Sequence, residues 1–298
     1  MEKDEIVVSI IMPIFNRIHL IGETIQSVLN QSFARWELIV VDDGSTDDVG
    51  VVIRDFSDER IRYYPITHSG CLWKVREFGT RQAVGKYISF LDSDDLWLPH
   101  KLEFQLSLLS EHPEAGFTFS HGEQFGAEAI PPPSMEKIFV GDIFRAQLIE
   151  ERFVLYPTSF FFRSEVLRSV GTPDQSISGG DINYFLRIAH QYPGIFSGEK
   201  LVKIRKHDQN ISLEREFIFS RENLAMYRSF HNEGLISRKD YEMISSKQSY
   251  KLGILYLKKN RPGDAIKGFL DYVRLRPLHY KGWGRLAQSF LWRIARFV

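Results

Sequence analysis

Residues 85–95 read GKYISFLDSDD. The run Tyr87, Ile88, Ser89, Phe90 and Leu91 has the apolar and aromatic make-up of a buried strand, and it ends in the acidic cluster Asp92, Ser93, Asp94 and Asp95. A strand end that delivers carboxylates to one point usually does so for a cation. The event has a precedent earlier in the chain, because the apolar run Leu38 to Val41 leads straight into Asp42, Asp43, Gly44, Ser45 and Thr46. Ligands of open α/β sheets bind at the carboxyl ends of the strands. Two strands ending in acid therefore point to a metal-assisted site for a phosphorylated ligand.

Working outward, Val7 to Met12 forms another apolar run, stopped by Pro13, after which Leu20, Ile21, Thr24, Ile25, Val28 and Leu29 recur with helical spacing. The alternation continues with strands at Leu38 to Val41, Ile61 to Tyr64 and Tyr87 to Leu91. Helices around Val49 to Phe56 and Lys74 to Ala83 lie between them. Strands separated by helices imply a mostly parallel sheet with right-handed crossovers. Pro99 stands at an expected first helical position before Leu102, Leu106 and Leu109, and Gly116 to Ser120 reads as a short strand. From His121 to Lys137 the glycines and Pro131, Pro132 and Pro133 predict a long loop. Beyond it the pattern predicts a helix from Ile143 to Glu150, a strand from Ser159 to Arg163 and a turn from Gly171 to Gly180. A helix from Ile182 to Gln191 and strands near Ile195 and from Leu201 to Arg205 follow. From Phe217 onward the pattern is almost wholly helical, which sets a boundary between an α/β domain at residues 1–212 and a helical extension at 213–298.

Composition narrows the function. Lys plus Arg equals Asp plus Glu at 38 each, so no global field argues for nucleic acid or for a strongly anionic membrane, and any basic patch must be local. The single cysteine, Cys71, forms no internal disulfide and fits a reducing compartment. The charged start, Met1 to Glu5, is unlike a signal peptide, and no apolar stretch approaches the roughly 20 residues that span a bilayer. The expectation is a cytoplasmic protein, peripheral at the inner face of a membrane at most.

The acidic cluster admits other readings. Asp94 or Asp95 could cap the helix near Pro99, with Asp95 the better candidate. Asp92, Asp94 and Glu103 fall at the first, third and last positions of a calcium loop, but Leu96 and Trp97 occupy places that need an oxygen ligand and a glycine. Magnesium or manganese shared with phosphates suits so few carboxylates better.

Four stretches, IIMPIFNR at 10–17, ELIVVDDGST at 37–46, GKYISFLDSDD at 85–95 and KLEFQ at 101–105, together resemble an inverting family 2 glycosyltransferase with the GT-A fold. The resemblance spans residues 5–212. It implies an α/β, Rossmann-like mixed sheet flanked by helices, a nucleotide-diphosphate sugar donor, a glycan or lipid-linked acceptor and Mn2+ or Mg2+ as cofactor. Pro13, Phe15 and Asn16 would border the base and ribose, Asp43 would accept a hydrogen bond from the base, and Arg76, Asp92 and Ser93 would reach the nucleotide sugar. Asp92 and Asp94 match the family's DXD pair, with Asp94 the direct metal ligand. His207, in the stretch Arg205 to Ser212, matches a residue that approaches the metal or diphosphate. Asp181, at the head of a helix, would be the general base, although an Asp there is also a standard N-cap. The chain departs from the pattern at Gly180, where the family has Glu, and at Glu77, where it has Asn. These departures motivate an alternative, a catalytically weak module that binds nucleotide sugars. An enzyme that makes sugar nucleotides is disfavoured, because it would carry a glycine-rich basic loop where this chain has Pro13 to Arg17.

Trp73, Trp97 and Tyr156 are candidates to stack on sugars or to pack in the core. In the extension, Tyr250 to Tyr256, Asn260 to Gly263, Ala265, Phe269, Tyr272 and Pro277 resemble one tetratricopeptide-like hairpin. The end mixes Trp283, Phe290 and Trp292 with Lys281, Arg285 and Arg293. That mixture suits contact with a membrane surface, or packing on the catalytic domain or on a second subunit in a homo-oligomer.

Overall fold

A computed structural model describes residues 5–126, 137–171, 180–206 and 216–294. The first half alternates as expected: β1 (Val8–Ile14), α1 (Ile18–Leu29), β2 (Trp36–Asp42), α2 (Val49–Asp55), β3 (Ile61–Pro65), α3 (Leu72–Gln82) and β4 (Tyr87–Phe90). Every residue of β1 and β2 is buried, as befits parallel strands covered on both faces. The polar exceptions are satisfied. Ser9 in β1 donates to Glu37 Oε1 in β2 at 2.6 Å, and Glu37 Oε2 accepts from Arg62 Nη1 at 2.7 Å.

The second half is more mixed. It comprises β5 (Leu96–Trp97), α4 (Lys101–Glu111), β6 (Phe117–Gly126), β7 (Phe139–Gly141), α5 (Ile143–Leu148), a 3-10 turn at Pro157–Ser159, β8 (Phe161–Arg163), α6 (Ser164–Val170), α7 (Gly180–Gln191) and β9 (Gly194–Lys206). Among the described residues nine strands form one sheet in the order β3-β2-β1-β4-β8-β6-β9-β5, with β7 also on β9. The strands from β3 to β4 run parallel. Of the remaining pairs only β6 with β9 is parallel.

This topology places the site. β1 lies between β2 and β4, with Ile14 opposite Asp42 and Ile11 opposite Phe90. Both acidic segments therefore leave the sheet at the same end, on either side of β1.

Two expectations need correction. The loop predicted from His121 is strand as far as Gly126, because β6 continues along β9 through register shifts beside His121. Its polar sequence, HGEQFG, hides the strand, yet Gly122 has a structural reason: a Cβ there would stand 2.9 Å from Ile204 and from Tyr156. Residues 127–136, including the prolines, lie outside the described residues. The two strands expected near Ile195 and Leu201 are one strand, β9, which passes Gly198 at φ 71. The short elements β5, β7 and α6 carry too few residues to show a period.

Lys101, at the start of α4, is fully buried. Its Nζ donates to Gln105 Oε1 at 2.7 Å and to Ser89 Oγ at 3.1 Å, and it lies 3.9 Å from the centre of the Trp97 ring. Burial pushes its pKa well below the ordinary lysine value. The folded state therefore binds this proton less tightly than the unfolded chain, so between the lowered pKa and about 10.5 the unfolded chain holds more protons and stability rises with pH. Denaturation of wild type and Lys101→Met at neutral pH and near pH 10 is expected to show that rise in the wild type only. Parallel pH responses would contradict it.

The chain divides into two compact units, the first holding the described residues through Lys206 and the second those from Glu216 onward. The expected boundary at 212 falls outside the described residues. The second unit consists of α8 (Glu216–Asn232), α9 (Arg238–Lys258), α10 (Pro262–Leu275) and α11 (Tyr280–Ile294). α9 and α10 pack together around Leu252, Tyr256, Ala265, Phe269 and Tyr272. Their backbones approach closely, since a Cβ on Gly268 would lie 3.0 Å from Gly253 Cα. Among the described residues no helix is long and apolar enough to cross a membrane.

Candidate functional site

The loop after β2 is built by its own side chains. Asp42 Oδ1 accepts from the Ser45 N–H at 2.9 Å, and its Oδ2 accepts from Tyr63 Oη at 2.6 Å. Asn16, in the left-handed region at φ 53, ties the loops after β1 and β2 together. Its N–H donates to Ser45 Oγ at 2.9 Å, and its Oδ1 accepts from the Thr46 N–H at 2.7 Å. Asn tolerates that backbone conformation better than most residues. Asp43 organises a segment that the sequence reading missed, accepting from the Ser69 N–H at 2.7 Å and the Gly70 N–H at 3.2 Å. Gly70, at φ 62, is the sequence signal for that turn. His68 lies 3.1 Å from Asp43 Oδ2 and stacks on Phe15 at 4.5 Å. Phe15 is 41% exposed, so its ring offers a face to a planar ligand. Asp43 already holds this loop, while its remaining lone pairs can still accept from a base.

On the other side of β1, Arg76 of α3 joins two expected site residues. Its side chain is fully buried, and it donates to Asp181 Oδ1 through Nη1 at 2.6 Å and to Asp92 Oδ1 through Nη2 at 2.6 Å. A planar guanidinium can serve two carboxylates at once in a way that an ammonium cannot. Burial alone would lower the Arg76 pKa, but Asp181 and Asp92 more than offset that and raise it. Asp92 is pushed above the usual carboxylate range chiefly by burial, with Asp94 and Asp181 adding to the rise and Arg76 opposing it. Asp95 rises well above that range, again by burial first and then by the charges of Asp92 and Asp94.

Asp95 is not a helix cap. β5 intervenes before α4, whose N-cap is His100 with no side-chain cap bond. Asp95 Oδ1 accepts instead from the Arg205 N–H at 3.0 Å, and Arg205 Nε donates to Asp94 O at 3.0 Å. The end of β9 is thereby fastened to the acidic loop. His207, just beyond, lies outside the described residues. Ser93 is buried, and its carbonyl accepts from Thr24 Oγ1 at 3.0 Å. Trp97 is core, its Nε1 donating to Thr158 O at 3.0 Å, and Tyr156 packs against the same core.

Gly180 acquires a reason here. A Cβ at that position would stand 2.9 Å from Trp73 Cδ1, so the indole occupies the space where a side chain would begin. Trp73 also meets Tyr184 at 4.6 Å and Phe90 at 5.8 Å, which makes it a packing residue beside Asp181. Glu77 turns to Arg81 Nη2 at 2.5 Å. Gly180→Glu is expected to displace Trp73 and to cost about 1–3 kcal/mol by overpacking. The measurement is a denaturation midpoint, and an unchanged value would contradict the contact.

Among the described residues no group of three or more His, Cys, Asp or Glu side chains is placed to hold a metal alone. The fit to a divalent ion rests on the crowding of Asp92, Asp94 and Asp95, whose mutual repulsion adds to burial in raising the pKa values of Asp92 and Asp95. One or two carboxylates suffice for magnesium when phosphate oxygens complete its shell.

Comparison with known proteins agrees with this architecture. The E. coli enzyme WfgD, named UDP-Glc:alpha-D-GlcNAc-diphosphoundecaprenol beta-1,3-glucosyltransferase, is 42% identical over 106 residues, which is 36% of this chain and 42% of that one. The chain thus spans less than half the length of this relative. Residues 1–349 of S. aureus TarS in complex with UDP-GlcNAc superpose with a TM-score of 0.70 at 17% identity, covering 95% of this chain and 89% of that one. The Pyrobaculum calidifontis mannosyltransferase PcManGT, in complex with GDP-Man and Mn2+, gives 0.63 at 16% identity, covering 95% and 79%. At such identities the likeness is one of fold, and the fold is GT-A. The family profile of glycosyl transferase family 2 matches residues 9–171, more than half of the chain and the whole of the two acid-ended strands, and the chain belongs to that family.

Proposed function

We propose that the protein is a metal-dependent, inverting glycosyltransferase that moves a sugar from a nucleotide-diphosphate sugar to a hydroxyl of a glycan or lipid-linked acceptor in cell-surface polysaccharide synthesis. The observation that carries the reading is Arg76, which holds Asp92 and Asp181 at 2.6 Å each. One buried cation thus registers the carboxylate of the donor side with the carboxylate proposed as base.

In this reading Phe15 and Asp43 receive the nucleotide base, and Asn16 keeps the two loops in place around the ribose. Asp181 takes the proton of the acceptor hydroxyl as that oxygen attacks the anomeric carbon from the face opposite the diphosphate, and the configuration inverts. Arg76 keeps Asp181 oriented before the acceptor arrives. Asp94 and Asp92 would hold the divalent ion, with His207 as a further contact, and the ion when bound supplies charge stabilisation to the departing diphosphate.

The relatives suggest the reagents. The E. coli relative is named for a UDP-sugar and an acceptor on diphosphoundecaprenol, so a UDP-sugar and a lipid-linked saccharide are the first pair to test. The catalytic domain would occupy residues 1–212 and the helical extension 213–298, with the enzyme working in the cytoplasm against the inner membrane face.

The test is a transfer assay across UDP-, GDP- and dTDP-sugars, with the anomeric configuration of the product read by NMR. Transfer with inversion, lost in excess chelator, is expected. Retention, or full activity in chelator, would overturn the reading. Metal-dependent nucleotide binding with neither transfer nor donor hydrolysis would favour the binding module instead.

A further inference from the structure

The last helix of the second unit is held to its neighbour by a narrow stripe. In α11 the buried positions are Gly282, Leu286 and Ser289, spaced by four and three along one side. Gly282 is obligatory there, because a Cβ would lie 2.5 Å from the Tyr272 ring. The opposite side is uncovered and apolar. Tyr280, Trp283, Phe290 and Leu291 share that side at helical spacing and are 75%, 52%, 44% and 69% exposed, and Leu278 in the preceding turn is 98% exposed. Singly exposed apolar residues need no explanation, but five on one helix and its entry turn form a patch.

The charge around the patch selects its partner. After Asp271 the sequence has no acidic residue, while Arg274, Arg276, Lys281, Arg285, Arg293 and Arg296 are basic. Lys281 and Arg285 are exposed on the same helix, and among the described residues no carboxylate pairs with either or with Arg293. A second copy of this chain would set these cations against one another across a two-fold contact. A surface that is apolar a few ångströms down and anionic above matches both features, since aromatic and aliphatic side chains enter the headgroup boundary while lysine and arginine stay with the phosphates.

We propose that Leu278, Tyr280, Trp283, Phe290 and Leu291, on a segment whose charged residues are all basic, form a docking surface for an anionic lipid bilayer. The surface lies flat on the membrane, and nothing in it needs to span. The purpose rests on the reading of a lipid-borne acceptor, but docking itself does not, because it is measured without donor or acceptor. Failed docking would leave the transfer chemistry untouched, and absent transfer would leave docking untouched.

The experiment is co-sedimentation of the full chain with phosphatidylcholine vesicles, with and without phosphatidylglycerol, at low and raised salt. Binding to the anionic vesicles is expected to be about tenfold tighter or more than to neutral ones, and to weaken as salt screens the headgroups. The triple variant Leu278→Ser, Phe290→Ser, Leu291→Ser and the charge variant Lys281→Glu, Arg285→Glu should each lower binding about tenfold while the circular dichroism spectrum is kept. Equal binding to both vesicle types, no binding to either, or loss of self-association in the triple variant without any vesicle binding would overturn the proposal.

Discussion

Arg76→Ala is expected to reduce turnover by about a hundredfold or more and to destabilise the fold by about 2 kcal/mol or more. The side chain is fully buried, and its two donors end on Asp92 and Asp181. Removing one partner of a buried ion pair leaves the others uncompensated, which usually costs more than the pair contributed. The loss falls below the roughly 3–5 kcal/mol usual for a broken buried pair because the Asp92 and Asp181 side chains retain some exposure to water. Arg76→Lys separates packing from registration. An ammonium keeps the charge but lacks the planar fork, so stability should largely return while turnover stays low. Urea denaturation and steady-state kinetics on both variants read the two effects, and equal recovery of both in the lysine variant would contradict the positioning role.

Asp181→Asn is expected to lower kcat by roughly 10²–10⁴-fold, the usual contribution of a positioned general base. The asparagine carbonyl can still accept from Arg76, so the geometry around Asp92 should persist and donor affinity should change less than about threefold. Loss of kcat without loss of ground-state binding is the mark of an interaction made in the transition state. Unchanged turnover would place the base elsewhere, and an equal loss of donor binding would make Asp181 a structural residue.

The sequence made the parallel half of the fold legible because β1, β2 and β4 are largely buried and leave near-continuous apolar runs ending in punctuation. Through the resemblance it grouped Asp92, Asp94 and Asp181, of which the structure brings Asp92 and Asp181 together on Arg76. It did not disclose Arg76 as their common partner, because a charge on a helix usually faces solvent, whereas this one is fully buried against Trp73 and Phe90. The loop at His68 to Gly70 was missed because its function is to be held by Asp43, a contact across 26 residues. Strand β6 was lost at His121 because its partner β9, rather than its own pattern, keeps it extended. Gly180 read as a defect in the motif. With Trp73 in the space its side chain would fill, it is the residue that lets the indole pack beside Asp181.

The central claim is that the acidic end of β4 binds a divalent ion together with a nucleotide diphosphate. It is tested most directly by the thermal unfolding of wild type and Asp94→Ala with uridine, guanosine and thymidine diphosphates, each with and without Mn2+. A ligand that binds only the folded state raises the melting temperature by mass action. The account predicts a rise of several degrees for at least one diphosphate in the wild type, dependent on Mn2+ and absent in Asp94→Ala. A rise of equal size without Mn2+, or one that survives Asp94→Ala, would contradict it.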